Sequence, residues 1–244
     1  MSKHVSKKRR RNVRSSGTAE IIELHGSKFE SERLLPPIQA LNPTQADYLD
    51  ALRTSAQVVV LGPAGTGKTW IAATYAADLY RERRISKIIL TRPNVPCGRS
   101  LGFFPGSLED KFAPWVAPVV EAIKDRIGAP AYEIALKRGH IEMVPFQVMR
   151  GRSWKNAFVL LDEAQNTTSA EIKMFLTRVG EDCTVIINGD VSQCDLDETS
   201  GLHTVLHLIK SQRLPVPVIE FTAADIVRSG LCAMWVRAFA GARI

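Results

Sequence analysis

The sequence predicts an α/β protein, a mostly parallel sheet with helices on both faces. Two observations carry that prediction. Short apolar runs at 57–61, 87–90, 141–144, 157–161, 184–188 and 216–221 are rich in Val and Ile and mostly unbroken by polar residues. Such runs are the pattern of strands covered on both sides. Between them lie helix-period segments at 68–83, 107–127, 168–179, 201–212 and 223–240, and strands alternating with helices build a parallel sheet. No internal repeat interrupts the alternation.

The body of the chain begins near Leu41, where Asn42 or Thr44 can cap a helix through Leu52. Ahead of it, residues 1–19 lack apolar periodicity and read as a disordered arm. Pro36 and Pro37 mark an extended linker. The organisation expected is therefore a basic arm and linker over 1–37 and one folded domain over 38–244. A chain of 244 residues, 45% of them apolar, suffices for one such domain.

Charge is distributed unevenly. The formal net charge is +7. Lys3, Lys7, Lys8, Arg9, Arg10, Arg11 and Arg14, with no acid among residues 1–14, account for all of it. The rest of the chain balances 25 bases against 25 acids, so the basic character belongs to the arm. No apolar run adjoins the arm, which excludes a secretory signal. None elsewhere approaches the length of a membrane helix, so no membrane association is expected. Cys97, Cys183, Cys194 and Cys232 form no CxxC pair, which argues against a zinc site or disulfide framework and suits a reducing cytoplasm. His203 and His207 are four apart but have no third ligand nearby, and they read as surface or core histidines.

The chemistry starts at VVVLGPAGTGKTW. Gly62, Pro63, Ala64, Gly65, Thr66, Gly67, Lys68 and Thr69 fill the pattern GxxxxGK[ST] between a predicted strand and a predicted helix, the context this phosphate-binding loop requires. Its backbone N–H groups can wrap phosphates at a helix N-terminus, Lys68 can reach the β and γ phosphates, and Thr69 can ligate magnesium. The strand at 157–161 runs into Asp162 and Glu163, at the edge where ligands sit in such sheets. Asp162 suits magnesium, and Glu163 suits the orientation or deprotonation of an attacking water. The next strand ends in Asn188, Gly189 and Asp190 and continues to Gln193, whose amide can register the γ-phosphate or its water.

Taken together, GPAGTGKT, RGRSWKNAFVLLDEAQNTT and NGDVSQCD resemble the PhoH-like ATPases, relatives of the first lobe of superfamily 1 helicases. The stretch TRPNVPCGRSLGFFPGSLEDKFAPWVAPVVEAI resembles that family's insertion after the second strand, and FTAADIVRSGL its closing motif. LNPTQADYLDAL is similar to a Q-type adenine motif in which Gln45 bonds the adenine edge. Phe104, Trp115 and Glu121 depart from the residues usual in the family, away from the phosphate chemistry. The resemblance spans roughly 38–235. It implies a RecA-like P-loop NTPase fold, ATP and Mg2+ as ligands, Walker A at 62–69, Walker B at Asp162 and Glu163, and a sensor at Gln193.

Helicases of that superfamily bind nucleotide between two lobes, and the residues after Arg228 are too few to form a second. The site is therefore expected to be completed from another subunit, in a homo-oligomer with a hexameric ring as one form, or else to hydrolyse slowly. Arg228 is the leading arginine finger in trans, with Arg92 and Arg152 as alternatives. Nucleic acid, RNA or single-stranded DNA, is the expected partner, met partly by the arm at 1–14. Phe103, Phe104 and Trp115 with Arg92, Arg99 and Lys111 suit base stacking along a basic path, or else pack the insertion on the sheet. A nucleotide-gated scaffold without unwinding activity is the alternative. A GTPase would need NKxD where this chain has NGD at 188–190. A small-molecule kinase would need lid arginines where Arg81, Arg83 and Arg84 end the P-loop helix.

Overall fold

The computed structural model describes residues 35–93, 108–196 and 199–227, with 230, 234, 235 and 238 beyond them; of 108–113, 115 and 147 it describes the backbone alone. The chain divides into two units, Met1–Pro36 and Pro37–Ile244, and all of its described strands and helices belong to the second.

Six strands form one sheet: β1 (Gln57–Leu61), β2 (Lys87–Thr91), β3 (Ile141–Met143), β4 (Ala157–Leu161), β5 (Thr184–Gly189) and β6 (Val218–Glu220). Their order is β3-β2-β4-β5-β1-β6, and every neighbouring pair is parallel. The helices are α1 (Pro43–Thr54), α2 (Lys68–Arg81), α3 (Leu108–Ile127), α4 (Ala129–Lys137), α5 (Ser169–Leu176) and α6 (Gly201–Gln212). The α/β prediction holds. Because side chains alternate across a strand, each run feeds two cores. Val58, Val60, Ile88, Leu90, Phe158, Leu160 and Ile186 meet Tyr48, Leu52, Ile71 and Ile123 from α1, α2 and α3. Val59, Leu61, Ile89, Val159, Leu161, Val185 and Ile187 meet Ile172, Phe175, Leu202 and Val205 from α5 and α6. That double burial is why the runs contain so little that is polar.

Local chemistry sets the boundaries. Asn42, not Thr44, caps α1: its side chain accepts from the Gln45 N–H at 2.8 Å, and Pro43 occupies the first turn, where its missing N–H costs nothing. Helix α2 stops at Arg81, short of the expected 83, because Arg83 turns to a φ of 57°. Helix α5 stops at Leu176, not 179, before Val179 bridges Trp154 beside β4. Helix α4 has no counterpart among the predicted segments. Its signal is Gly128, at a φ of 84°, two residues ahead of Pro130, a left-handed glycine before a helix-starting proline. Strand β6 is shorter than 216–221, and Pro217 enters the ladder only through its carbonyl, which accepts from Val59 N. The helix expected at 223–240 does not begin at 223. Thr222 and Asp225 form a capping box around a single 3-10 turn, Ala223–Asp225, and Ile226 is then extended; residues 228, 229, 231–233, 236, 237 and 239–244 lie outside the described residues. Pro114 and Pro118 sit inside α3 on its exposed side, where water can serve the carbonyls they leave without a donor.

Helix α3 is joined to α2 by a charged fork. Arg126 Nε and Nη2 donate to the two oxygens of Asp78, both at 2.6 Å, with the side chains only 10% and 15% exposed; Arg81 adds a third contact at 3.1 Å. Removing the carboxylate strips a shielded guanidinium of its bidentate partner. Asp78→Ala is expected to cost about 3 kcal/mol, read as a lower denaturant midpoint at unchanged slope.

Candidate nucleotide-binding site

The loop between β1 and α2 is built on backbone shapes that side chains resist. Gly62 has a φ of 129°, and a Cβ there would collide with the Phe221 carbonyl; Gly65 and Gly67 adopt 89° and 91°. Gly67 is the N-cap of α2 and brings no side chain to its first N–H groups. Those donors and the positive end of the helix dipole are thus left to an anion. Lys68 Nζ donates to the carbonyls of Gly62 and Pro63 at 2.5 and 2.8 Å. Burial pushes the Lys68 ammonium below its usual range, while the carboxylates of Asp190, Asp162 and Glu163 oppose that shift.

Asp162 leaves β4 with its N–H on the Thr91 carbonyl of β2, at 3.0 Å. The Thr69 hydroxyl donates to Asp162 Oδ1 at 3.0 Å, tying the first turn of α2 to the end of β4. Burial raises the Asp162 carboxyl above its ordinary value and Glu163 adds to this, against Arg92, Thr69 and Lys68. A hydroxyl beside a poorly solvated carboxylate is a hard-oxygen pair, and a cation there would supply the charge compensation that burial withholds. Thr69 and Asp162 therefore fit magnesium.

Glu163 stands in the left-handed region, φ 55° and ψ 41°, a conformation a non-glycine residue holds only when its surroundings impose it. Gln165 Nε2 donates to Glu163 Oε2 at 2.6 Å, and Arg92 Nη2 lies 3.8 Å from Oε1. The other end of the Gln165 amide accepts from Asp190 N at 3.0 Å, so this buried side chain spans the ends of β4 and β5. Asn166 and Asp195 exchange two further bonds, at 3.1 and 2.9 Å, and these pin the segment carrying Gln193. The Gln193 N–H bonds the Asp190 carbonyl, and its side chain is exposed.

A second layer closes over the loop from both ends of the domain. Gln45 is 3% exposed; its Oε1 accepts from Leu41 N at 2.8 Å and its Nε2 donates to the Thr66 carbonyl at 2.9 Å. Val227 N donates to the Gly65 carbonyl. Thr44 Oγ1 donates to Asp225 Oδ1 at 3.0 Å, and Asn42 Nδ2 to the Asp225 carbonyl.

The structure thus gathers Gln45, residues 62–69, Asp162, Glu163 and Arg92 around one loop. Arg92 sits within its own subunit's site, beside Glu163. Arg152 is instead paired with Glu142 on the edge strand β3, at 2.9 Å. Arg228, Phe103, Phe104, Arg99 and the arm 1–14 lie outside the described residues, as do the side chains of Lys111 and Trp115. Gln165, Asn166 and Asp225 stand within the stretches DEAQN and FTAAD, yet nothing local marks their roles. An amide or carboxylate that holds two loops together has no periodic signature.

The Asp225 carboxyl feels some upward push from burial. Bonds from the Thr222 N–H and hydroxyl and from Thr44 outweigh it, and the group lies below its ordinary value. A depressed carboxyl contributes stability above its unfolded pKa, about 4, and loses it as pH falls through the lower folded value. Asp225→Asn is expected to lower Tm at pH 7 and to converge with the parent only as pH falls below the depressed folded value, in parallel melts across the acid range.

A family model described as PhoH-like protein matches residues 37–240. The chain is 43% identical over 207 residues to Protein PhoH of Escherichia coli, a match covering 83% of this chain and 58% of that protein. It is 44% identical over 197 residues to a PhoH-like protein of Bacillus subtilis, covering 80% and 61%. For a PhoH-like protein of Mycobacterium tuberculosis the figures are 39% over 224 residues, covering 91% and 62%. The chain therefore spans about three fifths of the length of the curated relatives it matches. With its parallel sheet, its glycine loop and the acidic strand end beside it, the chain belongs to the PhoH-like family.

Proposed function

We propose that this chain binds ATP with magnesium, hydrolyses it, and couples turnover to RNA or single-stranded nucleic acid as a ring-forming, helicase-like motor. The observation that carries the hydrolytic reading is the Thr69–Asp162 bond, with Glu163 held next to it between Arg92 and Gln165. The 62–69 backbone and Lys68 take the phosphates, and the Gln45 amide uses its remaining donor for the adenine edge. Thr69 and Asp162 hold magnesium, which when bound neutralises phosphate charge. The attacking water's oxygen bonds to the γ-phosphorus while the bond to the bridging oxygen breaks. ADP leaves with that electron pair, and Glu163 takes the water's proton. Gln193 registers the γ-phosphate side, and Arg228 of a neighbouring subunit completes the charge compensation. Among the described residues, no helix is long and apolar enough to cross a membrane, in keeping with work in the cytoplasm.

Glu163→Gln keeps shape and loses the base. It is expected to bind ATP normally and to turn over about 10² to 10⁴ times more slowly, whereas Lys68→Ala weakens binding itself. Near-parent turnover by Glu163→Gln, measured as phosphate release, would overturn the assignment of the base.

The nucleic-acid part rests on the arm's seven cations in fourteen residues. If all seven meet phosphates of a single strand, log affinity falls against log salt with a slope of roughly −5, about 0.7 per charge. Deleting residues 1–14 is expected to flatten that slope and leave basal ATP turnover unchanged; an unaltered slope takes the arm out of the proposal. The clamp of Val227 on Gly65 favours one other reading, a nucleotide-gated scaffold that relays the loop's state to a partner. ATP turnover with and without single-stranded RNA separates the two, since only the motor is stimulated.

A further inference from the structure

On the sheet face away from α2, a groove of about 580 Å³ runs between α5 and the single 3-10 turn, Phe146–Val148, that follows β3. One wall is a helical stripe. Ala170, Lys173, Met174, Thr177 and Arg178 recur at the i, i+3, i+4, i+7, i+8 spacing of one helix face, along α5 and the turn that ends it. Phe146 and Arg150 stand on the other side. The Phe146 ring is buried 6.2 Å from that of Phe175, and with Met174 it gives the groove an apolar floor. Both walls are held by backbone bonds: Met149 N donates to the Phe146 carbonyl, and the Arg178 carbonyl accepts from Trp154 N. The charges on this groove are unbalanced. Arg150 and Lys173 are exposed and Arg178 is half-buried. Among the described residues none of the three has an acidic partner, whereas Arg152 and Lys155, close to Arg150 in the chain, are paired with Glu142 and Glu181. Arg178 Nε has no hydrogen-bond partner, so the fold returns little for the solvation this guanidinium gives up. Glu171 is the one acid lining the groove, and its Oε2 already accepts from the Thr168 N–H in the cap of α5. A nucleic-acid strand complements both halves of this surface. Its phosphates suit the cations, two of them guanidiniums whose fork matches phosphate oxygens, and its sugars and bases suit the apolar floor. An acidic peptide supplies the charge but nothing flat and apolar in step with it.

We propose that this groove is a contact site for single-stranded nucleic acid on the folded domain, with Arg150, Lys173 and Arg178 on its phosphates and a sugar or base against Met174 and Phe146. This rests on the nucleic-acid part of the proposed function and adds to the arm a second surface, across the sheet from the phosphate loop. The contacts are to phosphate and to apolar atoms, so binding here is independent of base sequence.

The test uses the full chain, a fluorescent oligouridylate as probe, and affinity read across a salt series. Arg150→Ala, Lys173→Ala and Arg178→Ala combined are expected to make log affinity against log salt shallower by about 2, at about 0.7 per phosphate contact. At about 0.15 M salt that slope corresponds to binding weakened roughly 50-fold. Lys137→Ala, Arg138→Ala and Lys210→Ala combined remove the same charge from exposed positions elsewhere, and they are expected to change the slope by less than half as much. Arg150→Ala with Lys173→Ala, both at exposed positions, is measured alongside should the loss of Arg178 unfold the protein; its expected change is about 1.4. A slope change no larger than the control's, in the triple and the double variant alike, overturns the proposal and leaves the arm as the nucleic-acid contact. Poly-glutamate binding that is lost in these variants while the oligouridylate slope stays at the parent's gives the groove to an acidic protein and overturns it too. A parent that binds no oligouridylate at any salt overturns the nucleic-acid reading itself and the groove with it.

Discussion

Parallel pairing governs the molecule. With all six strands running the same way, their C-terminal ends share one edge, and the groups of the candidate site hang from it: the loop after β1, Arg92 after β2, Asp162 and Glu163 after β4, Asn188 and Asp190 on and after β5. A parallel sheet also requires crossovers, and these cover both faces and make the strands dry. The dryness matters chemically. Lys68 and Asp162 are both pushed toward their neutral forms by burial, and each is drawn back by the other's charge.

The second constraint is rigidity around a loop that has few contacts of its own. Its three glycines adopt shapes that cost chain entropy to fix, and the structure meets that cost with bonds from both ends of the domain. Gln45 holds Thr66, Val227 holds Gly65, and Asp225 ties the closing segment to the start of α1 through Thr44 and Asn42. On the other side of the site, Gln165 fixes Glu163 against Asp190, which accounts for a glutamate kept in a left-handed backbone. The candidate site is thus tied to the C-terminal segment through Val227 and to the end of β5 through Gln165.

Polar side chains in this site divide by what satisfies them. Gln165 and Asn166 have protein partners at both ends of their amides and act as braces. Asn188 has none.

The sequence by itself determined the strands, most of the helices and the glycine loop after β1, because these are local. A strand buried on two faces must be a run of apolar residues, and a phosphate cradle must be contiguous backbone with glycines at fixed spacing. Asp162 and Glu163 were legible for the same reason, as carboxylates ending such a run. Only the tertiary structure decided that β5 lies between β1 and β4. It alone brought Arg92 to Glu163, and Asp225 to Thr44 across 181 residues of chain. It also moved the start of the last predicted helix, since at Thr222 and Asp225 a local cap closes a single 3-10 turn and, among the described residues beyond it, helix is found only at 230, 234, 235 and 238. The reason is physical: strand order, register and the face a side chain takes are set by packing between distant segments, and a buried, unsatisfied asparagine is spelled the same way as an exposed one.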